Sequence, residues 1–166
     1  MNARLSIPVR PTPSNTTIGA SGTLALFGSA ALPTRVASVS FDQDSVLRWI
    51  SIVTNVRLSN ANAFGTIIVA FDDAITVNDA NAANGNAGII WQNTAQQTVN
   101  SEIITPNSVQ IDMDYSYIRA GVPISLYFHG AAAAPGNVVI SASVSLAYNT
   151  LSEWVNFMQP NVGFRA

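Results

Sequence analysis

Lysine and cysteine are absent from this 166-residue chain, histidine occurs once (His129) and glutamate twice (Glu102, Glu153). Without cysteine there are no disulfides, no zinc-thiolate sites and no thiol nucleophile. One imidazole and no amine leave carboxylates as almost the whole stock of acids and bases. The G-x-S-x-G elbow, the P-loop and the H-E-x-x-H helix are all missing. Carboxylate pairs alone can cleave glycosides, yet the expectation is that the chain is not an enzyme. Charge of either sign is scarce: 10% of residues are charged, with a net charge of −2, against about 25% in ordinary globular chains. No global field recruits nucleic acid or an anionic membrane. The arginines (Arg4, Arg10, Arg35, Arg48, Arg57, Arg119, Arg165) are scattered rather than clustered, unlike a surface that neutralises phosphates. No apolar run approaches the ~18 residues of a membrane span. The N-terminus has no signal-like apolar core, so a soluble product made in the cytosol is expected.

Strict alternation is what the chain has in quantity. Val109, Ile111, Met113, Tyr115 and Tyr117 form one apolar row, Val122, Ile124, Leu126 and Phe128 a second, and Val138, Ile140, Ala142, Val144, Leu146 and Tyr148 a third. Side chains along a strand point to opposite faces in turn, so each row marks a strand with one buried face. Weaker strand signals precede them at 23–28, 35–41, 46–58, 66–71, 88–93 and 99–104. In 46–58, Ile50, Ile52, Val56 and Leu58 fall on one side and Leu47, Trp49 and Val53 on the other, which predicts cover on both faces for part of its length. Turn residues separate the segments, among them Asn60-Ala61-Asn62, Thr105-Pro106-Asn107 and Pro135-Gly136-Asn137. The total is eight or nine strands without helical periodicity before residue 150, an all-β sandwich or barrel.

Three regions follow: an arm over 1–22, a β-domain over 23–149 and a tail over 150–166. Pro8, Pro11, Pro13 and the Ser14-Asn15-Thr16-Thr17 run keep the arm from helix or sheet interior. In the tail Leu151, Trp154, Val155, Phe157 and Met158 have helical spacing for about two turns before Pro160. Trp154, Phe157, Met158 and Phe164 are a large apolar load for a chain end, suited to packing over the domain or into a neighbouring subunit. A charge-poor surface points the same way, because monomers keep themselves soluble with mixed charge.

Side chains that could hold a ligand are few. Asp112 and Asp114 stand two apart on a strand and Asp72 adjoins Asp73, near Asn78-Asp79-Ala80-Asn81. Such oxygen-rich pairs could hold Ca²⁺, while Asp and Asn also populate turns by bonding their own backbone. No other cofactor is expected. Alternation puts His129 with Ser125 and Tyr127 on the polar side of its strand, facing solvent.

The Pro/Thr-rich arm Met1–Gly22, the number and spacing of strands from Thr23 to Tyr148, and the short apolar tail together resemble the single jelly-roll coat proteins of small icosahedral viruses, satellite viruses included. The resemblance implies an eight-stranded antiparallel β-sandwich of two four-stranded sheets, many identical copies closing a capsid around a genome, and location in the virion after assembly in the host cytoplasm. Satellite-virus coats often carry a strongly basic arm, whereas this arm holds only Arg4 and Arg10; picorna-like coats match that feature better. Two other classes share features. The Tyr117-Ile118-Arg119-Ala120-Gly121-Val122 link resembles a junction in trimeric modules of the complement C1q/tumour-necrosis-factor type. Trp91-Gln92-Asn93 is the best candidate for a carbohydrate-binding β-sandwich.

Overall fold

The computed structural model describes residues 10–26, 34–58, 63–71, 88–97, 103–132 and 136–158. Eight strands and one helix follow in order: β1 (Ser14–Leu26), β2 (Thr34–Val39), β3 (Ser45–Leu58), β4 (Ala63–Phe71), β5 (Ile89–Gln97), β6 (Ile103–Ile118), β7 (Ile124–Ala132), β8 (Gly136–Thr150) and α1 (Leu151–Met158). They form two four-stranded sheets, β1-β8-β3-β6 and β2-β7-β4-β5, with every pairing antiparallel. Only β4 and β5 are consecutive neighbours in one sheet; the other connections cross the sandwich or lead into α1. This interleaving of two Greek keys is the jelly roll, so the expected fold class is borne out.

Rows of β-branched and aliphatic side chains from the two inner faces fill the space between the sheets. Ile50, Ile52, Val56 and Leu58 of β3 and Ile140, Val144 and Leu146 of β8 meet Ile67 and Val69 of β4 and Ile124, Leu126 and Phe128 of β7, all buried. Ile18 of β1 joins them. The third alternating row, in β8, is therefore a core row as read, with Ser143 exposed on the opposite face and Ser141 and Ser145 half-buried there.

Four expectations are corrected. The first strand begins at Ser14, not Thr23, and pairs with β8 from Ser14 opposite Tyr148 to Leu26 opposite Gly136. Past Pro13 nothing removes a ladder donor, and Ile18 brings an apolar side chain to the core. The Thr105-Pro106-Asn107 signal is no turn, since Pro106 lies inside β6 opposite Asn55. Because β6 is an edge strand, the missing N–H costs no ladder bond. In β3 the register slips between Leu47 and Trp49 against both neighbours. The slip puts Leu47 on the core side with Ile50 rather than opposite it; with Val46 also buried and Val53 exposed, the strand is covered on both faces for part of its length. His129 is buried, with its ring edge-on to Phe64 at 5.2 Å between centroids. The face it shares is buried at β4 and β7, where Ile68 and Ala70 pack with Tyr127 in a second apolar cluster. Alternation places a residue on a face but does not say whether that face is wet.

Candidate functional site

The outer face of the β1-β8-β3-β6 sheet divides into two zones. Over its centre, cross-strand neighbours are uncharged and mostly small: Thr17, Ser145, Ser51 and Gln110 make one row, and Gly19, Ser143, Val53 and Ser108 the next. The Thr17 and Ser145 hydroxyls hydrogen-bond at 3.0 Å. Toward the end of the sheet where β8 runs into α1, the surface changes to arginine and aromatic rings.

The change is made by β6. Between Leu47 and Trp49 of β3, β6 advances from Ser116 to Asp112, so Met113, Asp114 and Tyr115 bulge out of the ladder. Asp114 (φ 44°) and Tyr115 (φ 58°) both occupy the left-handed region, which costs non-glycine residues free energy and persists only where surroundings enforce it. The bulge is tied by the Asp114 N–H donating to Asp112 Oδ1 at 2.9 Å and by the Ser116 hydroxyl donating to the Met113 carbonyl at 2.6 Å. It also shifts the phase of the strand. Val109, Ile111 and Met113 pack against the core as read, but beyond them Ile118 is the buried residue and Tyr117 is exposed.

Tyr115 serves as a platform. Trp154 of α1 stacks on it at 4.4 Å and 19°, and Phe157 leans on Trp154 at 5.3 Å. The Arg10 guanidinium lies 4.9 Å from the Tyr115 ring and 5.7 Å from Trp154; Arg48 lies 5.3 Å from Trp49 and 5.9 Å from Tyr115. Arg48 Nη1 donates to the Pro11 carbonyl and Asn149 Nδ2 to that of Thr12, each at 3.1 Å. Burial lowers the Arg48 pKa, the nearby Arg10 charge adds to that, and Asp112 opposes it. Both ends of the described chain are thus fastened to one patch by cation–π and stacking contacts.

The helix begins with a capping box. Glu153 N–H donates to Thr150 Oγ1 at 3.3 Å while Thr150 N–H donates to Glu153 Oε2 at 3.0 Å. The Leu151 N–H donates to the Asp44 carbonyl at 2.8 Å. No residue of α1 is fully buried, and Val155 and Met158 are 40% and 63% exposed. A shallow cavity of about 470 Å³ lies between Gln43 and Asp44 and the helix residues Leu151, Ser152, Val155 and Asn156. The Asp44 carboxylate itself accepts from the Ala120 N–H and the Tyr117 hydroxyl, both at 2.8 Å.

Of the residues singled out in the sequence, Trp154, Phe157 and Met158 come together on α1, the first stacked on the chain's own sheet, the second leaning on the first and the last exposed. Phe164, Asp72 and Asp73 lie outside the described residues. Asp114 sits in the bulge and Asp112 at its edge, where one Asp112 oxygen caps the backbone. Among the described residues no three His, Asp or Glu side chains gather as a metal-binding group. Trp91 packs against the main core rather than outward, which leaves only Gln92 exposed in Trp91-Gln92-Asn93. Arg10, Arg48 and Tyr115 were not foreseen as a group. The only sequence signal was an alternating row of unusual length, in which a bulge is invisible.

No protein-family model matches the sequence, and no curated protein matches it. Solved structures with a similar course of the chain include the VP2 subviral particle of infectious bursal disease virus (TM-score 0.46, 11% identity, 89% of this chain and 35% of that one). They also include Desmodium yellow mottle tymovirus (TM-score 0.36, 15% identity, 89% of this chain and 94% of that one), and a pilus-forming Bacillus endospore appendage (TM-score 0.36, 8% identity, 87% of this chain and 97% of that one). The chain spans about a third of the bursal disease virus protein.

Proposed function

We propose that this chain is a structural protein whose many copies assemble through lateral contacts between jelly rolls into a closed icosahedral shell, a capsid enclosing a genome. The observation that carries the reading is α1. It is an eight-residue amphipathic helix held to its own domain through Trp154, yet it leaves Val155 and Met158 exposed. Apolar surface left beside a fixed aromatic patch is suited to burial against another subunit. The scarcity of charge supports the same reading, since a surface with few ionic groups meets a neighbour with little desolvation cost. Location in a virion and contact with a genome belong to this proposal. Size-exclusion chromatography with light scattering tests it. A particle of many subunits is expected, a trimer would favour a C1q/tumour-necrosis-factor type of module, and a monomer at every pH tried would overturn the proposal.

A further inference from the structure

Each edge of a β-sheet offers unpaired N–H and C=O groups to another chain, and proteins blunt such edges with proline, charge, bulges or shortness. Three of the four edges here are blunted. Along β6 stand Pro106, Asp112, Asp114 and the left-handed bulge. β2 is six residues long, carries Arg35 and slips register between Arg35 and Ala37. β5 fits an extra residue, Ile90, opposite the step from Val69 to Ala70.

β1 has none of these devices. Its 13 residues include no charge and no proline, and it pairs with β8 along its whole length without a register shift. It also holds two glycines that the fold itself does not require. Neither Gly19 nor Gly22 has a positive φ. A Cβ on Gly22 would meet nothing within 4 Å, and one on Gly19 would sit at an ordinary 3.5 Å from the Ala142 carbonyl oxygen. Glycine weakens a strand interior and often marks where another backbone approaches closely.

We infer that the outer edge of β1, unpaired among the described residues, pairs with β1 of a second copy, antiparallel across a twofold axis, joining two sheets into one. A strand facing its own copy must avoid setting like charges opposite one another, and this neutral strand is the edge that satisfies that condition without a bulge. Self-pairing is isologous, so one contact occupies the edge of both copies. An axis through Ala20 sets Ile18 opposite Gly22 and Gly19 opposite Ser21, so no two bulky side chains meet at the centre. The inference rests on the assembly reading above and names one of its contacts.

The test uses the full chain, in which any introduced cysteine is the only thiol. Across the axis the Ala20 Cα atoms would lie about 4.5–5.5 Å apart, within reach of a disulfide. Ala20→Cys is expected to give a covalent dimer under mild oxidation, and Ser143→Cys, one strand in from the edge, is not. Gly19→Lys places like charges beside the axis and is expected to convert native assemblies to smaller species with unchanged melting temperature. Should Gly19→Lys fail to fold, Ala20→Cys decides. Native particles with no Ala20→Cys dimer would overturn the edge contact and leave the assembly reading standing. A native species that stops at a cross-linkable dimer would support the edge contact and overturn the closed shell. A native monomer that does not cross-link would overturn both.

Discussion

At the residue scale, Asp44 shows a role set by residues distant in the chain. In sequence it stands two positions from the like charge of Asp42; in the structure its carboxylate clasps the link between β6 and β7. The Ala120 N–H, then the Tyr117 hydroxyl, hold its pKa below the usual 3.8, with a smaller contribution from Arg119 and against some desolvation. The same hydrogen bond raises the pKa of Tyr117. A carboxyl whose folded pKa is depressed contributes stability above its unfolded value and loses it as pH falls through the folded value. Below the usual 3.8, the native melting temperature should therefore fall more steeply with pH than that of Asp44→Asn, which has no proton to take up. Thermal melts between about pH 2 and 5 check this; equal slopes would show that the clasp contributes nothing. Asp44 and Tyr117 are 73 positions apart, so no local reading of the sequence could pair them.

At the element scale, the β6 bulge decides where the outer-face aromatics go. The alternation of Val109 to Tyr117 correctly predicts a strand and its first three inward residues, Val109, Ile111 and Met113. It misses the phase change, because Asp114 and Tyr115 have ordinary side chains that carry no mark of a left-handed backbone. Asp112 ties the bulge by accepting the Asp114 N–H, a role that asparagine can also fill. Asp112→Asn is accordingly expected to melt like the native chain. Asp112→Ala should lose about 1 kcal/mol, or about 2–4 °C in a chain of this size. Scanning calorimetry distinguishes the two, and equal losses would remove the capping role. The calcium proposal for Asp112 and Asp114 is tested on the same variants: a bound ion would make EDTA lower the native melting temperature but not that of Asp112→Asn.

At the scale of the whole molecule, α1 lies against the sandwich without entering its core. The helix stacks on the sandwich through Trp154 and buries no residue completely, whereas the core is closed by β3, β4, β7 and β8. Deleting Leu151–Ala166 is expected to leave cooperative melting intact while shifting light scattering toward smaller species. Loss of the cooperative transition would place the tail within the folding unit. The contact through Tyr115 and Arg10 makes the two ends of the described chain neighbours, so trimming one should loosen the other.

The sequence by itself determined the all-β class, most strand positions, the inward rows of β7 and β8 and the start of α1, because period-2 burial and end-capping are local properties of the chain. The tertiary structure alone decided the sheet order, the burial of His129, the inward side of Trp91, the continuation of β6 through Pro106 and the arginine–aromatic patch. Each of these depends on which distant strand lies alongside, and on whether a face allowed by alternation is covered.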